Sequence, residues 1–260
     1  IRLLGIDAQD IELVLGNLDG LVDEYEINRR DSIFGWKGRH PVISEIITRY
    51  KFSDESEVFN LLRTVVTNLS PSYNIEISTM RELCSFDNGI GRIPCLEDQN
   101  ELLRIMISNA PKERVPRHRL IRNLIRLSAF SDAETEIRVF ENDLGKDGPV
   151  RRYNVRLMLE RAANTEGLQD QDRATILNTA HDSALSLLNF NKGNRHSLKL
   201  FGDVCLEIFR VTGDYDYTDD ALDRMKAAEA DVGDPDITQL IVRYERMLSS
   251  GVSVDASILS

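Results

Sequence analysis

The sequence predicts an all-α fold made of antiparallel helix pairs. Three observations carry this: an apolar period of 3.6 residues along most of the chain, cap residues that agree with it, and helix pairs in the second half that resemble one another. Between residues 54 and 70, Phe59, Leu62, Val66 and Leu69 fall on one face. Leu102, Leu103, Ile105 and Met106 do so in 97–110, and Leu120, Ile121, Leu124 and Ile125 in 115–128. Strand-like alternation is nearly absent, with 73–77 the one short candidate. The period places helices at 9–27, 41–51, 54–70, 74–86, 97–110, 115–128, 131–144, 149–163, 169–190, 194–212, 218–232 and 235–249. Short loops between them require antiparallel neighbours.

Ser131 with Glu134, and Asp98 with Glu101, have the spacing of a capping box, in which side chains satisfy free amides of the first turn. Asp234-Pro235 pairs an N-cap with a proline at the first helical position, where the missing N–H costs nothing. Ser70-Pro71, His40-Pro41 and Gly148-Pro149 look similar, and Gly145, Gly167, Gly193 and Gly213 mark helix stops or turns.

Ala133, Ile137 and Phe140 have the spacing of the second helix of a repeat unit, where small residues let helices cross closely. Ala180, Ala184 and Leu187 repeat it, and Ala221, Met225 and Ala228 repeat it again. Gly213-Asp-Tyr215 before the last set and Asp234-Pro235 after it resemble landmarks of a tetratricopeptide (TPR) unit. Ala133 to Ala180 is 47 residues and Ala180 to Ala221 is 41, against about 34 in a TPR. The expected fold is therefore a degenerate, lengthened TPR-like α-solenoid. Each pair cannot bury its apolar face alone, so pairs stack.

The expected organisation is an N-terminal helical linker or junction region at 1–53, a TPR-like repeat domain at 54–250 and a flexible tail at 251–260. The only tryptophan, Trp36, lies in Gly35-Trp36-Lys-Gly-Arg39-His40-Pro41 and is expected to pack at the junction.

Apolar residues make up 42% of the 260, enough for a sizeable core. The formal charge of −11 opposes general nucleic-acid binding, because phosphates meet a repulsive mean field. Cys84, Cys95 and Cys205 are odd in number and lack metal-ligand spacing, so they read as buried thiols of a cytoplasmic protein. No apolar run approaches the ~18 residues of a membrane span, and no signal-peptide pattern opens the chain. An opening at Ile1, without methionine, is expected of an excised piece of a longer protein or of a disordered start.

No phosphate-binding G-x-x-x-x-G-K-[ST] loop, H-E-x-x-H or G-x-S-x-G occurs. Gly89-Ile-Gly91-Arg92 precedes Ile-Pro94 and reads as a turn, and His40, His118, His181 and His196 are scattered. No catalytic, cofactor-binding or metal-binding residue is therefore expected, although an enzyme assembled from distant residues stays open. The local departure from acidity is at 112–126, where Lys112, Arg114, Arg117, Arg119, Arg122 and Arg126, with His118, face only Glu113. Arg119, Arg122 and Arg126 fall opposite the apolar arc at i, i+3 and i+7. Arg151, Arg152 and Arg156 follow one helix pair later. One reading is a solvated face that pairs with acidic helices. The other is a docking strip of Arg117, Arg119, Arg122, Arg126, Arg151 and Arg152 for an acidic protein partner. A nucleic-acid-binding repeat using 112–126 is the alternative from another class, opposed by the lack of interleaved aromatics. Residues 162–260 carry 17 acidic against 9 basic side chains, which suits oriented assembly. Arg161 shares a helix face with Val150, Tyr153 and Leu157, and Asp172 is its expected partner.

The runs Trp36-Lys-Gly-Arg39-His40-Pro-Val-Ile43, Arg114-Val-Pro-Arg-His118-Arg-Leu-Ile121 and Asp147-Gly-Pro-Val-Arg-Arg152-Tyr153 resemble the C-terminal helical region of bacterial STAND NTPases, the large signal-transduction ATPases of antiviral defence. The resemblance implies a TPR-like sensor that follows an effector and an ATPase, recognises a viral protein and self-assembles through its parent. It also implies that residues 1–50 leave the ATPase and that Arg39-His40 touch it.

Overall fold

The computed structural model describes residues 20–28, 33–40, 54–85 and 89–249, with single positions at 10, 13, 14, 17 and 42. The Trp36 side chain, the predicted helix at 41–51 apart from position 42, and the tail at 251–260 lie outside the described residues.

The fold is all-α, with helix pairs packed in sequence. Ten α-helices occur among the described residues: α1 (Glu55–Asn68), α2 (Asn74–Leu83), α3 (Leu96–Asn109), α4 (Arg114–Arg126), α5 (Phe130–Leu144), α6 (Gly148–Asn164), α7 (Asp170–Phe190), α8 (Arg195–Thr212), α9 (Asp216–Val232) and α10 (Pro235–Ser249). The periodicity located each of these to within a few residues. It misread the start. Of the helix expected over 9–27, the described positions 10, 13 and 14 are helical, but Val22–Asn28 (β1) pairs antiparallel with Ile33–Gly38 (β2). Glutamates and leucines there mimic a helical period, whereas strand pairing is non-local and invisible to a single-segment pattern. Arg39 Nε donates to Asp23 Oδ1 at 2.6 Å across this hairpin.

The caps explain the helix ends, with two corrections. Asp147 starts α6 by accepting from the Val150 amide at 2.9 Å, and Asp234 accepts from the Asp236 amide at 2.9 Å beside Pro235. Gly213 and Gly233 close α8 and α9 in the left-handed region, which favours glycine. Ser131 and Asp98 are not caps. Each helix begins earlier, at Phe130 and Leu96, so both side chains sit inside the first turn. There an acid still favours the helix dipole.

The chain divides into two compact units, Ile1–Leu120 and Ile121–Ser260, and the division falls inside α4. In the first unit α1 packs on α3 around Val66, Leu102, Leu103 and Met106, all fully buried. Asn109 Nδ2 donates to the Val66 carbonyl at 2.8 Å and the Thr67 carbonyl at 3.2 Å, serving the orphan carbonyls at the end of α1.

In the second unit each helix from α5 to α10 packs on the next; in addition α6 contacts α8, and α8 contacts α10. The helices α6, α8 and α10 thus form one layer, with α5, α7 and α9 alternating between them in chain order. Ala133, Ala180 and Ala221 are fully buried on α5, α7 and α9, as close crossings require. One continuous core runs from Val155 through Leu177, Phe201 and Met225 to Tyr244.

Candidate functional site

The arginines of α4 do not form one exposed strip. Arg117 and Arg119 are each only 5% exposed. Arg117 Nε donates to the Pro111 carbonyl at 3.2 Å. Arg119 Nη2 donates to Gln99 Oε1 at 3.3 Å, and Gln99 Nε2 donates to the Ile93 carbonyl at 2.6 Å. A helical wheel gives the direction of Cβ but not what covers a long side chain, and Arg119 is covered beside α3. Arg117 and Arg119 are therefore structural cations of the first unit, correcting the expectation of a continuous strip. Arg122 and Arg126 are exposed. Surrounding protein pushes the Arg122 guanidinium below its ordinary value; Tyr153 opposes this, and Arg126 and Arg156 add repulsion.

The cations continue onto α6 and α8. Arg151 is exposed, with its guanidinium 5.9 Å from the Phe190 ring centroid. Arg152, half-buried, stands near His196 on α8. Burial pushes His196 below its ordinary value, and Arg152, Arg195 and Lys199 reinforce the shift. Arg156 donates to Asp203 Oδ2 at 3.0 Å and lies 2.9 Å from Glu160. Burial pushes the Asp203 carboxyl up, while Arg156, Lys199 and Arg243 pull it back.

Beside this pair lies a cavity of about 100 Å³. Its apolar wall comes from Leu159 and Ala163 on α6, Leu206 on α8, and Leu240, Tyr244 and Met247 on α10; Lys199, Arg210 and Arg243 supply positive charge and Glu160, Asp203 and Glu207 negative charge. An apolar cavity of ~150 Å³ takes a benzene-sized group, whereas cofactor sites run to ~300 Å³ or more. The space therefore suits one aliphatic side chain. Neither this cavity nor Lys199 and Arg243 was singled out from the sequence. They come from three helices spread over about 90 residues, and no local motif joins them.

Charge segregates by helix. The helices α6, α8 and α10 carry nine basic and five acidic residues, whereas α5, α7 and α9 carry four basic and fourteen acidic. The acidic surplus of 162–260 is thus not an end-to-end gradient within this unit but an alternation between helices.

Two further expectations change. Arg161 pairs not with Asp172 but with Glu134 on α5, Nη2 to Oε2 at 3.0 Å. Cys84 and Cys205 are buried, but Cys95 is exposed, with its Sγ 3.3 Å from Glu97 Oε2. Among the described residues no cluster of three or more His, Cys, Asp or Glu could hold a metal ion, and no helix is long and apolar enough to cross a membrane. No protein-family model and no curated protein matches the chain.

Stacked helix pairs with a segregated charge pattern and a small side-chain-sized cavity define a helical-repeat class of protein.

Proposed function

We propose that the chain is a non-enzymatic protein-recognition module that binds a partner on the α6–α8–α10 layer. The observation that carries this reading is the cavity of about 100 Å³ shared by three helices of one layer and set among charged side chains. It is sized for a partner's side chain rather than a substrate or cofactor. Repeat folds supply such extended surfaces from successive units. The alternative of nucleic-acid binding through 112–126 is weakened by the burial of Arg117 and Arg119, two of its cations.

Photoreactive residues placed at Lys199, on the layer, and at Asp182, exposed on α7, test the reading in the full-length protein in its own cells. Protein adducts are expected from position 199 and not from 182. Equal yields, or none at 199, would overturn it.

The finer reading is a sensor or regulatory region of a cytoplasmic antiviral STAND NTPase that detects a viral protein. It rests on the three runs around Trp36, Arg117 and Arg151. A Walker loop upstream of Ile1 in the same reading frame is its test, and a frame lacking one would remove it.

A further inference from the structure

We infer that the partner seated on the α6–α8–α10 layer is an acidic protein segment carrying an aliphatic anchor residue; this deepens the proposed recognition function and rests on it. Three cations are central. Arg126 on α4, Arg152 on α6 and Lys199 on α8 close no ion pair among the described residues, and each has solvent-exposed surface. By contrast, Arg156 is held by Glu160 and Asp203, and Arg210 by Glu207.

Adjacency within the second unit rests on the Arg156–Asp203 contact, on the cavity that Lys199 and Asp203 both line, and on the electrostatic influence of neighbouring groups. Arg126 and Arg156 both act on Arg122, Arg156 binds Asp203, and Lys199 acts on both Asp203 and His196, which Arg152 also faces. Unpaired positive charge on this face of a chain of net charge −11 is complementary to an acidic surface, which the acidic helices α5, α7 and α9 would repel. The cavity wall supplies the apolar half of the recognition.

A protein segment fits better than nucleic acid. The path carries Glu160, Asp203 and Glu207 among its cations, which a continuous phosphate backbone would meet at close range. The cavity accepts an aliphatic group, and its one aromatic side chain, Tyr244, is buried rather than presented for base stacking. An extended peptide advances ~3.3 Å per residue and neighbouring helices lie ~8–10 Å apart, so carboxylates about three to six residues from the anchor reach the cations.

The test is fluorescence anisotropy on the full 260-residue chain. The probes are a labelled glutamate-rich peptide with one central leucine, the same peptide with serine there, a lysine-rich peptide, and an oligothymidine of equal charge. Saturable binding of the leucine peptide is expected, weakened by salt, with the serine peptide poorer and the lysine peptide inert. The triple variant Arg126→Glu, Arg152→Glu, Lys199→Glu should weaken binding about tenfold or more. Ala163→Phe, which fills the cavity, should abolish the advantage of leucine over serine while leaving the salt dependence. Circular dichroism of each variant separates lost binding from lost fold. Tighter binding of oligothymidine, indifference to all four substitutions, no binding of the leucine peptide, or self-association through the same face would each overturn the inference. Adducts at position 199 to a partner whose crosslinked segment is not acidic would sink it while leaving the recognition function standing.

Discussion

Tyr244 on α10 donates its hydroxyl to the carbonyl of Gly202 on α8 at 3.2 Å, and the same glycine leaves the space its ring occupies. A Cβ at Gly202 would lie 2.5 Å from Met225 Cε and 3.0 Å from Tyr244 Cε2. One residue without a side chain thus lets α8, α9 and α10 meet beside the cavity.

Gly202→Ala sets two effects against each other. Alanine gains about 1 kcal/mol of helix propensity, while overpacking costs about 1–3 kcal/mol. The Met225 tip can move aside, but the Tyr244 ring is held by its hydrogen bond, so a net loss of about 1 kcal/mol is expected. Tyr244→Phe should cost about 1 kcal/mol by leaving a buried hydrogen bond unmade. Urea denaturation measures both, and a stabilised Gly202→Ala protein would refute the close approach.

Two arginines seven residues apart in α4 should behave differently. Arg119→Ala removes the partner of Gln99 Oε1 in a buried setting and should cost about 1–3 kcal/mol. Arg126→Ala, at the exposed surface, should stay within about 0.5 kcal/mol of the parent. Equal losses in thermal denaturation would contradict the broken strip.

The three thiols should sort by burial. Desolvation pushes the Cys84 thiol up to about 12, and burial also raises Cys205. Both stay protonated through pH 7–9, and the thiolate is the reacting form. A maleimide should therefore label Cys95 alone in the native protein and all three after denaturation. Peptide mapping reads the result, and native labelling of Cys84 would show that its helix contacts open readily.

His196 should titrate below the ordinary 6.5, because burial and then Arg152, Arg195 and Lys199 resist its protonation. Its folded-state value is depressed, so its contribution to stability is present above pH 6.5 and is lost as pH falls toward the folded value. Proton NMR of the imidazole gives the midpoint. Arg152→Gln should raise it without restoring it fully, since burial persists, whereas an unchanged midpoint would remove Arg152 from the cluster.

Much of this architecture is local and therefore readable along the chain. A 3.6-residue apolar period needs only neighbouring residues, and it located α1 to α10. The Ala133, Ala180 and Ala221 pattern marked buried positions on α5, α7 and α9, because small residues recur where helices pack closely. Asp147 and Asp234 act on amides two or three residues away, so their roles are visible in the sequence. Contacts between distant segments are not. The pairing of β1 with β2, the burial of Arg119 against Gln99, and the choice of Glu134 over Asp172 by Arg161 depend on which helices come together. The same holds for the charge alternation. The sequence by itself determined the place and length of the ten helices between Glu55 and Ser249 and the acidity of the second half. Tertiary structure alone decided that α6, α8 and α10 share a layer, that their cations neighbour one another, and that Gly202 opens room for Tyr244, because each relation joins side chains separated by many residues and fixed only by packing.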